Sequence, residues 1–373
     1  MKPTIRPEKV ATTAVATTAA VALTTARSVT GEAGERLPAQ LAVLIDKLPA
    51  KDPPTAIAIL EQILSRGSDA LRQVIVAVGD AFGDPQGVKP KYAVHGLVHH
   101  ASRPGAEDQR KLVAGALAAE LARDHAAELQ AFICRQLQCC GRDAEVPALA
   151  RLLSSDRLCE PAAQALCGIG SSAAVAALRQ ALPEATGSRR ITLVCALGRF
   201  GDQAAAAEIR KDLSAADDDL RTAAWYALGQ MGDTASAGAL LKTLLSESGY
   251  RRGQALDACL RLARNRDQAG GEQLCRDLLA KLSDAEQVHD RLAVLAALAD
   301  VAGVKAVDDL LDALASKSVK LRHHAAWTAV DLARNIQSKH PGEAQRLLEK
   351  VLQSTQERAV LDNAQALLTE KHV

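Results

Sequence analysis

Flat rings are nearly absent from this chain. Its 373 residues include three Phe, three Tyr and two Trp, 2% in all, which excludes base or sugar stacking as a distributed mode of recognition. Net charge is missing as well. The 45 basic and 44 acidic side chains leave a formal +1, so no long-range field gathers nucleic acid or an anionic membrane. No apolar run approaches the ~20 residues that a membrane-spanning helix needs. There is no C-x-x-C pair, no G-x-S-x-G turn and no glycine loop ending in Lys-Ser/Thr. Dithiol redox, serine-hydrolase and P-loop chemistry therefore lack their residues.

What the chain does have is periodicity. Arg190, Arg221, Arg252, Arg291 and Arg322 are spaced 31, 31, 39 and 31 residues apart. Three residues after each comes Leu193, Ala224, Ala255, Val294 or Ala325, and six after comes Ala196, Ala227, Ala258, Ala297 or Thr328. Ten after comes Phe200, Met231, Leu262, Val301 or Leu332. The +3, +6, +7 and +10 positions share one face of a 3.6-residue helix, so one apolar stripe recurs five times. Such units bury their apolar faces only against their neighbours, which is the mark of a solenoid. Gly141, Gly170, Gly201 and Gly232 each close a helix, Asp202 and Asp233 can cap the next one, and Gly198 and Gly229 also read as helix stops. The longer spacing between the third and fourth arginines predicts a bend or protruding loop around Gly270-Gly271.

Three stretches differ in character. Residues 1–34 read as a flexible Ala/Thr-rich tail, 35–125 as irregular helical hairpins of the N-terminal solenoid, and 126–373 as a regular repeat array with a C-terminal helical cap. The tail has a basic start in Lys2, Arg6 and Lys9 and small residues before Arg27. Threonine dilutes its middle and Glu8 interrupts its start. A cytoplasmic location is expected, with export the alternative if the segment is a weak signal. The eight cysteines read as small core residues in a reduced chain, because Cys140 and Cys259 occupy apolar columns and adjacent Cys139 and Cys140 point in different directions.

The run Leu220-Arg221-Thr222-Ala223-Ala224-Trp225-Tyr226-Ala227-Leu228-Gly229-Gln230-Met231-Gly232-Asp233 resembles the HEAT-repeat family, especially the compact HEAT-like form of phycobilin lyases. Arg190–Asp202 repeats it, and Arg291–Gly303 and Arg322–Leu332 repeat it more loosely. The resemblance implies an all-α, right-handed α-solenoid of HEAT-like helical hairpins that serves as a scaffold. It also implies that Arg190, Arg221, Arg252, Arg291 and Arg322 support packing between repeats, with the ladder stopping where Cys159 replaces arginine. In such arrays the second helix of each pair lines the concave side. Some helical-repeat hydroxylases hold a di-iron site through His-Glu pairs, but none of the nine histidines here precedes a glutamate.

Columns of varying character should face solvent. One, five and nine residues after each arginine lie such columns, four apart and so on one helical stripe. Its candidate partner-binding residues are Thr222, Tyr226, Gln230, Asp257, Arg261, His323 and Trp327, with Tyr226 and Trp327 as aromatic anchors. The competing reading is that both rings fill gaps between repeats. His95 and His99, four apart on one helix, could share a metal, but no third ligand stands at an obvious spacing. His323-His324 form a second small cluster without an adjacent carboxylate. Positive charge at Arg189-Arg190, Arg251-Arg252, Arg261, Arg264 and Arg266 is interleaved with Asp217-Asp218-Asp219, Asp300, Asp308-Asp309 and Asp331, which breaks the continuous basic track that phosphates require. The sequence thus points to a non-catalytic protein–protein interaction scaffold with an unidentified protein partner. It implies no catalytic residue, metal, cofactor, small molecule or membrane. The alternatives are an accessory subunit handling a small molecule or prosthetic group, as in bilin lyases, and a nucleic-acid-binding array.

Overall fold

A computed structural model of the chain describes residues 37–80, 88–282 and 287–369. The tail assigned to 1–34 lies outside them. Among the described residues the regular elements are helical and no strand occurs. The first six helices are α1 Ala39–Asp46, α2 Pro53–Leu64, α3 Gly67–Asp80, α4 Val88–Ala101, α5 Glu107–Leu121 and α6 Ala127–Cys140. Shorter and longer helices then alternate: α7 Val146–Ala150, α8 Cys159–Ile169, α9 Ser172–Ala181, α10 Gly187–Phe200, α11 Ala206–Ile209, α12 Asp218–Met231 and α13 Ala237–Ser246. The last are α14 Gly249–Asn265, α15 Gln268–Lys281, α16 Val288–Ala302, α17 Val307–Ala315, α18 Val319–Ile336, α19 Pro341–Ser354 and α20 Arg358–Thr369.

From α6 to α20 the even-numbered helices pack each on the next, and odd-numbered helices pack against them on the other side. This is an α-solenoid. The arginine-bearing helices are the even ones, and the apolar stripe forms the core between layers. The +3 residues Leu193, Ala224, Ala255, Val294 and Ala325 are all buried, as are Ala196, Ala227, Ala258 and Ala297 at +6. Burial of such columns drives the stacking, because a single hairpin has no other surface against which to hide them. Trp225, 2% exposed, is the largest side chain in this core.

Helix ends follow the glycine spacing. Gly170, Gly201 and Gly232 adopt left-handed φ values of 68°, 65° and 66°. At the latter two, the N–H groups of Asp202 and Asp233 donate to the carbonyls of Leu197 and Leu228, both at 3.1 Å. That six-to-one bond satisfies carbonyls left open at the helix end. Gly198 and Gly229, expected as stops, lie inside helices instead. A Cβ at Gly198 would sit 2.6 Å from the Ala227 Cα, and one at Gly229 would sit 2.7 Å from the Ala258 carbonyl oxygen. These glycines let α10, α12 and α14 approach backbone to backbone.

Two further expectations are corrected. No loop protrudes at Gly270-Gly271: both fall in the first turn of α15, with Gly271 buried beside Ala263 and Val301. The extra residues between the third and fourth arginines in part lengthen helix, since α14 has 17 residues where α10 and α12 have 14. Asp202 and Asp233 do not cap the following helix with their side chains. Asp202 accepts from Arg179 Nε and Nη2 at 2.6 and 2.8 Å, and Asp233 accepts from Arg210 Nη1 at 2.8 Å. A guanidinium offers more than the two or three N–H groups of a short 3₁₀ turn, so the carboxylates go to it.

Candidate partner-binding groove

The arginines that set the register are anchors for the even helices. Each donates to a backbone carbonyl near the end of the preceding odd-layer segment: Arg190 to Leu182 at 3.0 Å, Arg221 to Ala215 at 2.7 Å, Arg252 to Leu244 at 2.9 Å, Arg291 to Leu279 and Leu282 at 2.9 Å, and Arg322 to Ser316 at 2.6 Å. The shared role is therefore to tie each hairpin shut at a helix C-terminus, where unpaired carbonyls carry partial negative charge. Arg190 and Arg252 also reach the next hairpin, through Asp212 at 2.8 Å and Asp290 at 2.6 Å. Arg221 meets Asp218, which in turn meets Arg251 of α14. A second ladder, Arg179–Asp202 and Arg210–Asp233, joins successive hairpins along the odd layer. Sequence reasoning missed it, although both arginines and both aspartates are 31 residues apart.

With the helices fixed, the varying columns stand where expected. All fifteen residues at +1, +5 and +9 in the five units are exposed or half-buried. On α10, α12 and α14 the +1 and +5 residues converge on one open groove of about 900 Å³. Ile191 and Cys195 form one wall, Thr222 and Tyr226 the floor, and Gly253 and Asp257 the other wall. Asp218, Asp219, Tyr250 and Arg251 border it. The close contacts at Gly198 and Gly229 lie in the C-terminal halves of these helices, and the groove lies over their N-terminal halves. A Cβ at Gly253 would meet nothing within 4 Å, so glycine leaves that wall low.

Tyr226 is held by its neighbours along the stripe. The Arg261 guanidinium lies over its ring at 5.3 Å from the centroid, and Gln230 Nε2 donates to its hydroxyl at 3.5 Å. Arg261 Nε donates to Asp257 at 2.6 Å, and this bond raises the guanidinium pKa above its ordinary value. Tyr226, Gln230, Asp257 and Arg261 are thus one connected set, and Thr222 lines the groove beside Tyr226. Burial pushes the Cys195 thiol up, which keeps it protonated and unreactive at neutral pH.

His323 and Trp327 do not join this set, because α14 and α16 stand between α12 and α18. His323 Nε2 lies 2.7 Å from Glu357 Oε2, and Trp327 Nε1 donates to the same oxygen at 3.1 Å. Both are tied to the segment that opens α20. His95 and His99 place their Nε2 atoms 3.0 Å apart, a mutual hydrogen bond, and His95 Nδ1 faces Gln136 at 3.3 Å. His100 turns away toward Glu61, and burial lowers its pKa. Among the described residues no group of three or more His, Cys, Asp or Glu gathers in metal-binding geometry. All eight cysteines are free, and burial pushes Cys134, Cys140 and Cys259 to about 12. No helix among the described residues is long and apolar enough to cross a membrane.

Residues 187–259, which carry this groove, match the family of HEAT repeats. That segment is a run of HEAT repeats. Comparison with curated proteins by sequence gives no match. Among solved structures, Kap121p aligns with 88% of this chain and 41% of its own, at 13% identity and a TM-score of 0.52. Importin beta aligns with 88% of this chain and 49% of its own, at 14% identity and a TM-score of 0.52. The chain therefore spans less than half the length of these two proteins, and the likeness is one of fold. The complex of CpcE and CpcF of phycocyanin lyase from Nostoc sp. PCC7120 aligns with 60% of this chain and 93% of that one, at 20% identity and a TM-score of 0.34.

Proposed function

We propose that this HEAT-repeat protein is a non-catalytic interaction scaffold whose protein partner docks on the concave, even-helix face, in the groove over α10, α12 and α14. The observation that carries the reading is the convergence of the +1 and +5 columns of three consecutive repeats on one solvent-open groove with Tyr226 at its floor. The groove is mostly apolar and shaped by backbones in direct contact, so it is formed before anything binds. A preformed surface spares the partner part of the ordering cost of association. Tyrosine at its centre supplies a large contact area with few rotatable bonds. Trp327, tied to Glu357, takes a smaller part than Tyr226.

Affinity capture from native lysate, run beside Tyr226→Ala and Trp327→Ala with circular dichroism as the fold control, tests this. A stoichiometric protein kept by wild type and Trp327→Ala, and lost by folded Tyr226→Ala, is expected. Retention by all three forms would move the docking site elsewhere. The groove volume also falls in the range of small-molecule sites, which favours a second reading as an accessory subunit for a prosthetic group. A visible absorbance that copurifies with wild type and is lost with Tyr226→Ala would replace the first reading by the second.

A further inference from the structure

Resting on the docking reading above, we infer that the segment occupying the groove is an extended peptide carrying a lysine or arginine beside an aliphatic side chain. The aliphatic group lies over Ile191, Cys195 and Tyr226, and the cation meets Asp219.

The argument is one of charge left over. Four charged residues line the groove: Asp218, Asp219, Asp257 and Arg251. Arg251 is already committed to Asp218, which also receives Arg221. Asp257 is committed to Arg261 at 2.6 Å. Asp219 makes no ion pair among the described residues. Its backbone N–H donates to Asp217 at 2.8 Å, and its residue is exposed. Asp217 stands next to it and spends its carboxylate on the N–H groups of Asp219 and Leu220. The groove thus presents an uncompensated negative charge at one end of an apolar floor, and each cation that lines or borders it already has a carboxylate. An acidic or phosphorylated occupant would have to break one of these pairs to find a partner, whereas a basic one needs to break none.

The aromatic rings point the same way. Tyr226 already accepts the Arg261 guanidinium over its face at 5.3 Å. Tyr250, 82% exposed at the groove's edge, offers a second ring in open solvent. A cation over a tyrosine face is attracted by the ring quadrupole, and its methylene stem covers apolar surface at the same time. Asp219 and Tyr250, a carboxylate and a ring that line the same groove, would suit one long basic side chain. The neighbouring aliphatic group is needed because the floor is apolar and too large for the cation's stem alone.

Selection of a phage-displayed random 12-residue peptide library on the full chain tests this. Affinities of the enriched peptides would then be measured on wild type, Asp219→Asn, Tyr226→Ala and Asp277→Asn, the last an exposed carboxylate in the odd layer. Enriched peptides should carry Lys or Arg next to Leu, Ile or Val. They should weaken about fivefold on Asp219→Asn and about tenfold or more on Tyr226→Ala, stay unchanged on Asp277→Asn, and weaken with added salt. Tyr226-dependent peptides without basic residues, indifferent to Asp219→Asn, would overturn this inference and leave the docking groove standing. If no enriched peptide depends on Tyr226, both readings fall. Circular dichroism of each variant separates lost binding from lost folding.

Discussion

Helices α12 and α18 carry the same columns to different ends. At +1 and +5, α12 has Thr222 and Tyr226, and α18 has His323 and Trp327. Both pairs escape the core. On the neighbour of α12 the matching residues are Gly253 and Asp257, which keep clear of Tyr226 and leave a groove open. Beyond α18 the chain supplies Glu357, which takes a hydrogen bond from Trp327 and lies 2.7 Å from His323 Nε2. Register decides which side chains leave the core. The next hairpin decides whether they stay available.

The frame beneath the two sites differs as well. Arg190 has both a carbonyl and the buried Asp212, with side-chain exposures of 11% and 8%, whereas the hydrogen bond of Arg322 is to the Ser316 carbonyl. Arg190→Ala should therefore cost about 3 kcal/mol, since it strands a buried carboxylate, against about 1 kcal/mol for Arg322→Ala. Denaturant titration of the two variants reads the difference, and equal losses would break the contrast.

Close packing in the C-terminal halves of the groove's helices gives a somewhat smaller effect. Gly229→Val places atoms against the Ala258 carbonyl and should destabilise by about 2–3 kcal/mol. Val330, at the same column of α18, is already a buried branched residue. If Gly229→Val leaves the urea midpoint unmoved, the backbones are not held in contact.

For binding, Tyr226→Ala should weaken the captured partner by about 2 kcal/mol, the scale of an interface hot spot. Trp327→Ala should change it by less than tenfold. The latch itself is worth less: Glu357→Gln loses the charge but keeps an acceptor, so about 0.5–1 kcal/mol of stability should go. It should also raise solvent access at Trp327, which fluorescence quenching of the indole would report.

The smallest effect is one of pH. Hydrogen bonds from Lys211 and then Arg190 hold the Glu208 carboxyl below the ordinary glutamate range. Its folded form binds fewer protons than its unfolded form, so its contribution is full above the ordinary range and is lost as pH falls through the lowered folded value. In Glu208→Gln the acid limb of the stability profile should be flatter than in wild type, and thermal melts across that limb measure it.

Much of this was legible beforehand because repetition reports environment. Five aligned units show that Leu193 and Ala224 share a buried column and that Cys195, Tyr226 and Trp327 share an accessible one. Gly201 and Gly232 were legible for the same reason, since a left-handed cap is a local need of the backbone. Gly198 and Gly229 were misread because their demand is not local: Ala227 and the carbonyl of Ala258, each on the next helix, forbid a side chain there. The longer arginine spacing made Gly270-Gly271 look like a bend or loop, but packing against Ala263 and Val301 keeps that stretch helical. The Arg179–Asp202 and Arg210–Asp233 bridges left a faint trace in their spacing, which the stronger even-helix column hid.

The sequence by itself determined the solenoid, the helix carrying each arginine and the stripe that stays out of the core, because apolar periodicity and glycine caps act within one hairpin. Only the tertiary structure decided that Tyr226 opens onto a groove while Trp327 is tied to Glu357, and that, among the described residues, Asp219 is the groove charge without a counterion. Those outcomes depend on which side chains a neighbouring hairpin brings within about 3 Å of them, and no single unit's pattern contains that information.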